Sequence, residues 1–160
     1  MIPADALLRA LCNGHVDFVL VGGVAATIHG SSRLTQDLDI VYARTPENMA
    51  RLVESLRPHH PYLRGAPPGL PFQWDVATIQ RGLNFTVTTD IGDITLLGEI
   101  IGGGGFENLL PDTIQVDLFG LKCRSLSLQR LIEVKRAAGR PRDLDSIAEL
   151  EAILDGRSKR

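Results

Sequence analysis

The stretch Val19 to Tyr42, VLVGGVAATIHGSSRLTQDLDIVY, constrains this chain more than any other. An apolar run, Phe18 to Val21, ends on Gly22 and Gly23. A helix-compatible segment, Val24 to His29, follows, and a polar turn, Gly30 to Gln36, leads into a second apolar run punctuated by Asp37 and Asp39. The order is strand, glycine turn, helix, loop, strand. Residues two apart on a strand project from one face with Cα atoms roughly 6 to 7 Å apart, so Asp37 and Asp39 share a face while Leu38 and Ile40 take the other. Two carboxylates held side by side repel, and one takes up a proton unless a cation neutralises both. Oxygen ligands select hard ions such as Mg²⁺ or Mn²⁺, and Mg²⁺ binds through one or two carboxylates together with substrate phosphates. A strand that ends in Gly-Gly before a helix lets backbone N–H groups approach an anion. The pattern therefore predicts a site for phosphate and metal.

At 160 residues the chain is expected to form one domain, burying roughly two-thirds of its unfolded surface without disulfides. With 44% apolar and 22% charged residues and a mean hydropathy of +0.05, it has an ordinary globular composition. No apolar run approaches the ~18 residues of a membrane span, and the start, MIPADALLRALCNG, lacks a basic segment followed by an apolar block. The expectation is a cytoplasmic protein without a membrane partner. Cys12 and Cys123, far apart in sequence and without ligands at metal spacing, read as two reduced buried thiols. The net charge of -2 conceals an asymmetry: residues 1–119 carry 7 Lys+Arg against 13 Asp+Glu, residues 120–160 carry 10 against 6. The basic C-terminal quarter either complements a polyanion held over the acidic site or is a solvated face.

Along the rest of the chain, Ala4 to Asn13 reads as a helix between Pro3 and Gly14. Thr45-Pro46-Glu47 opens a helix to about Leu56. Arg57 to Pro71, rich in proline and glycine, reads as a long loop, either a substrate lid or a surface insertion. Leu83 to Thr89 and Asp93 to Ile100 read as strands about a turn at Asp90-Ile91-Gly92. The run Gly102 to Gly105 predicts a flexible connection. Ile114 to Leu118 and Leu121 to Cys123 are short strands; Ser127 caps a helix, Leu128 to Ala138, which Gly139 ends. Arg140 to Asp143 turns into a last amphipathic helix, Leu144 to Leu154, and residues 156–160 form a frayed basic tail. The expected class is α/β, or α+β, with a mixed sheet flanked by helices and a C-terminal helical pair.

Gly22-Gly23, thirteen intervening residues, then Asp37-Leu38-Asp39-Ile40 after an apolar strand resembles the signature of the DNA polymerase β-type nucleotidyltransferase superfamily. The finer pattern Gly22-Gly23, His29-Gly30, Arg33, Thr35, Asp37, Asp39, with Leu131-Ile132, Lys135, Arg140 and Arg142-Asp143-Leu144 downstream, is similar to its small prokaryotic branch, which includes AbiEii-like toxin-antitoxin nucleotidyltransferases. The resemblance implies a single nucleotidyltransferase-like domain over residues 1–155. It implies transfer of a nucleoside monophosphate from an NTP to a protein or RNA hydroxyl, and a cognate toxin or antitoxin as partner. Two Mg²⁺ or Mn²⁺ ions about 3.5 to 4 Å apart, gripped by three carboxylates, would act in it. Asp37 and Asp39 match the first two acids. Gly22, Gly23, Arg33 and Lys135 are the expected triphosphate contacts. Ser31 and Ser32 either donate to phosphate or are solvated, and His29 is either a structural or a catalytic histidine.

The third acid departs from the pattern. In relatives the later strand carries an Asp where Gly92-Asp93-Ile94-Thr95-Leu96-Leu97 has Thr95. Asp93 is the nearest candidate for a third catalytic and metal-binding carboxylate, on the same strand face but roughly 6 to 7 Å away. A threonine hydroxyl is neutral and cannot act as a general base near neutral pH. The alternative reading is therefore a catalytically attenuated member that binds a nucleotide or a protein.

Overall fold

A seven-stranded mixed sheet organises the chain. The computed structural model describes residues 4–33, 35 and 37–159. Pro3, Leu34 and Gln36, which belong to the expected first helix boundary and polar turn, and Arg160 lie outside the described residues. In chain order the elements are α1 (Asp5–Asn13), β1 (Phe18–Val21), α2 (Gly22–Ile28), β2 (Leu38–Tyr42), α3 (Pro46–Leu56) and β3 (Tyr62–Leu63). There follow α4 (Val76–Arg81), β4 (Asn84–Thr89), β5 (Gly92–Leu97), α5 (Phe106–Leu109), β6 (Thr113–Leu118), β7 (Leu121–Leu126), α6 (Leu128–Ala138) and α7 (Leu144–Ser158). The strand order is β3-β4-β5-β2-β1-β7-β6. Strand β1 runs antiparallel to the central strand β2 and parallel to β7, and β2 runs parallel to β5.

Strand parity sorts the side chains into two cores. Phe18 and Leu20 of β1, Ile40 and Tyr42 of β2, and Ile94 and Leu96 of β5 pack with α1 and α3 on one face. Val19, Val21 and Val41 pack with Leu131, Ile132 and Leu150 of α6 and α7 on the other. Asp39 and Thr95 have the parity of the second face, so they stand where its apolar layer gives way to a cleft. Among the described residues no helix is long and apolar enough to cross a membrane.

The helix signals act where they stand. The Thr45 side chain accepts from the Asn48 N–H and the Ser127 side chain from the Arg130 N–H. Gly139 ends α6 in the left-handed region at φ 64°. The last helix continues past Leu154 to Ser158. Three differences from the sequence reading stand out. Gly102 to Gly105 is an ordered turn closed by the bridge Ile100–Gly104, and a Cβ on Gly102 would lie 2.3 Å from that of Ala137, so glycine there permits close packing on α6. The segment after α3 adds β3 to the sheet edge, with Tyr62 edge-on to Phe72 at 5.9 Å and the Trp74 indole donating to Val53 O at 2.8 Å. The two thiols, 111 residues apart in sequence, lie 3.9 Å from each other where α1 meets β7, and burial pushes the Cys123 thiol up to about 12.

Candidate active site

The register places the acids. Antiparallel pairing sets Val21 opposite Asp39, and parallel pairing sets Asp39 beside Thr95. The Thr95 hydroxyl stands beside the Asp39 carboxylate and favours its charged form. Gly22 has φ +65°, and a Cβ there would fall 2.1 Å from Asp39 Oδ2. Only glycine allows both that backbone and that approach. Gly23 is equally crowded, by the Thr35 hydroxyl at 2.5 Å from its would-be Cβ. The glycine pair thus admits side chains from β2 and its preceding loop, a closer constraint than access for an anion alone. Burial raises the Asp39 pKa above the usual carboxylate value, and the Asp37 charge adds to this; the neighbouring Thr95 hydroxyl and the charges of Lys135 and Arg140 oppose it.

Asp39 and Thr95 open into a cavity of about 430 Å³, within the range usual for small-molecule sites. Its lining also carries Lys135 from α6 with Arg140 and Arg142 from the turn that follows. Buried Asp143 ties two of these cations together, accepting from Arg140 Nε at 2.6 Å and lying 3.9 Å from Lys135 Nζ. Apolar side chains share the lining: Leu97, Leu126, Val134 and, at the glycine turn, Ile100 and Ile101. Glu99 stands on the same rim. Three basic and two acidic side chains line the cavity among apolar ones, with Asp143 behind two of the cations, which suits a ligand with both anionic and apolar parts.

The remaining expected residues divide. Asp37 does not line this cavity: its Oδ2 accepts from Arg64 Nη1 at 2.6 Å, and the Arg64 Nε lies 3.6 Å from Asp93 Oδ2. Asp93 therefore sits one step along β5, on the Asp37 side, while Thr95 occupies the place beside Asp39. Ser31 and Ser32 turn elsewhere. Their hydroxyls donate to Glu149 of α7 at 2.6 and 2.9 Å, and the Ser32 N–H donates to the same carboxylate at 3.1 Å. These bonds hold the Glu149 pKa below the usual value, the Ser31 bond most of all. Arg33 lies 3.8 Å from Glu149 and lines a smaller recess with Gly23, Thr35 and Lys135, so Lys135 borders both hollows. His29 is buried and hydrogen-bonded: Nε2 donates to Leu126 O at 2.7 Å in the tautomer that leaves Nδ1 to accept from Arg157 at 3.3 Å. Burial lowers its pKa. Among the described residues no group of three or more His, Cys, Asp or Glu is gathered in a way that could hold a metal ion.

Arg64 and Glu149 carry no signal in the sequence, because each meets its partner across a loop or a helix far along the chain. Arg142 had one, the Arg142-Asp143-Leu144 run of the resemblance, although it is not among the expected phosphate contacts.

No protein-family model matches the chain, and no curated protein does. Among solved structures it is similar to a Thermotoga maritima protein provisionally assigned as a nucleotidyltransferase. That match has 15% identity and a TM-score of 0.53, and spans 100% of this chain and 97% of that one. At this identity the likeness concerns the fold: the mixed sheet with flanking helices and a C-terminal helical pair is a nucleotidyltransferase-like fold.

Proposed function

We propose that this chain is a nucleotidyltransferase, binding a nucleoside triphosphate with Mg²⁺ or Mn²⁺ beside Asp39 and passing its nucleoside monophosphate to a protein or RNA hydroxyl. The observation that carries the reading is the cavity itself, where the half-buried Asp39 carboxylate shares the lining with Lys135, Arg140 and Arg142 and with apolar side chains. A triphosphate suits the cationic side chains and a base with its sugar suits the apolar ones. Asp37 and Asp39, with the substrate phosphates, make a donor set that fits one Mg²⁺. Bound there, the ion would neutralise charge on the phosphates. Gly22, Gly23, Arg33 and Lys135 are the proposed triphosphate contacts, with Arg140 and Arg142 added by their place in the cavity. A cognate toxin or antitoxin and a place in the prokaryotic AbiEii-like branch rest on the sequence resemblance.

Thr95 favours a second reading, an attenuated member that binds nucleotide without fast turnover. Its hydroxyl stands beside Asp39 in the register and, being neutral near pH 7, is not a general base. The loss of a general base lowers rate by roughly 10² to 10⁴. Incubation with each α-labelled NTP, Mg²⁺ or Mn²⁺ and a cell lysate separates the readings. Transfer that disappears in Asp37→Ala with Asp39→Ala supports the first. Bound nucleotide without transfer, and a large gain in Thr95→Asp, supports the second. Equal transfer by wild type and the double variant sinks both.

A further inference from the structure

The geometry points to Arg64 as a built-in cation that takes the place of a second divalent ion, leaving the site able to hold one. This deepens the reading above and rests on it. Strand β5 lies parallel beside β2 with Leu38 opposite Ile94 and Asp39 opposite Thr95, so the next step back brings Asp93 alongside Asp37. Two carboxylates so placed need a positive charge between them. One guanidinium supplies it: its Nη1 donates to Asp37 Oδ2 at 2.6 Å while its Nε lies 3.6 Å from Asp93 Oδ2.

The arrangement is held from the backbone. Arg64 follows directly on β3, whose residues Tyr62 and Leu63 pair with Thr88 and Val87, and its own N–H donates to Thr86 O at 3.0 Å. The segment that looked in sequence like a lid or an insertion thus carries a charge to a fixed point over the acids. Asp37 and Asp93 keep 30% and 32% of their side-chain surface exposed, so an ion from solvent reaches them once the guanidinium is gone. The third acid that a pair of metals would need is Thr95, which has no charge to give. Arg64 and Thr95 agree: positive charge is added where Asp93 stands and negative charge is missing where a second ion would be held.

The test is Mn²⁺ titration of the full chain by electron paramagnetic resonance, first without nucleotide. Arg64→Gln, which removes the charge and keeps a shorter polar side chain, is expected to bind Mn²⁺ at least tenfold more tightly than wild type. Adding Asp93→Asn to it should remove that gain. Unchanged or weaker Mn²⁺ binding in Arg64→Gln, or a gain that survives Asp93→Asn, overturns the inference. With a non-hydrolysable NTP present the wild type should hold one Mn²⁺ per chain, and two would overturn the inference as well. Absence of any nucleotide-dependent Mn²⁺ would instead sink the nucleotide reading, with the nucleotide-free comparison still deciding the role of Arg64.

Discussion

Replacing Gly22 by alanine probes how the glycine turn and the acid are built around each other. The new Cβ must sit at φ +65°, where an L-residue costs roughly 1 to 2 kcal/mol. It would also meet Asp39 Oδ2 at 2.1 Å and Cγ at 2.9 Å, so the carboxylate has to swing away. Leaving its rotamer costs about 1 kcal/mol more. The expected loss is therefore about 2 to 3 kcal/mol, read by urea unfolding, together with weaker Mg²⁺ and nucleotide binding. The two parts separate in a double-mutant cycle. In an Asp39→Ala background the clashing atoms are gone, only the backbone strain remains, and the coupling should be about 1 kcal/mol. A Gly22→Ala loss below about 0.5 kcal/mol, smaller than the αL strain alone, or strict additivity with Asp39→Ala, would refute the argument.

Two further outcomes concern the scaffold. Asn48 is fully buried, accepting from the Asp17 N–H at 2.7 Å and donating to Asp17 O and Ala43 O at 3.0 and 2.8 Å. At about 1 kcal/mol per bond, Asn48→Ala should lose about 3 kcal/mol in chemical denaturation, and a loss below a third of that would mean the amide is not a clamp. His29, its pKa lowered by burial, stays neutral in the fold while the unfolded chain takes up a proton near pH 6.5. Its contribution is full above that pH and is lost as pH falls through the lower, folded pKa. Stability measured from pH 7 to pH 4 should fall less steeply in His29→Gln, and identical slopes would exclude the imidazole as a cause.

Much of this architecture can be read from local sequence, because its signals are local. Gly22-Gly23, the alternation around Asp37 and Asp39, the Thr45 and Ser127 caps and the Gly139 stop all act within a few residues. The parts that escaped depend on which distant residues the sheet brings together. Parity puts Asp93 and Thr95 on one face, but only the register of β2 against β5 decides which one stands beside Asp39. Polar Ser31 and Ser32 suit a phosphate as well as they suit Glu149, and the choice is made by a helix 117 to 118 residues further along. The four-glycine run looked flexible because glycine permits many conformations. The nearness of Ala137, which makes glycine necessary there, has no mark in the sequence. Helices α4 and α5, of 6 and 4 residues, are too short to show a helical period.

The central claim is that the cavity between Asp39 and Lys135 receives a nucleoside triphosphate, and calorimetric titration of each non-hydrolysable NTP with Mg²⁺ tests it most directly. The account predicts saturable binding by the wild type that requires Mg²⁺. Lys135→Ala removes a charged phosphate contact worth about 1.5 to 3 kcal/mol, so it should weaken binding by roughly 10- to 100-fold. Asp39→Asn should abolish the Mg²⁺ requirement together with most of the affinity. Wild-type binding that is indifferent to Mg²⁺, or affinity unchanged in both variants, would contradict it.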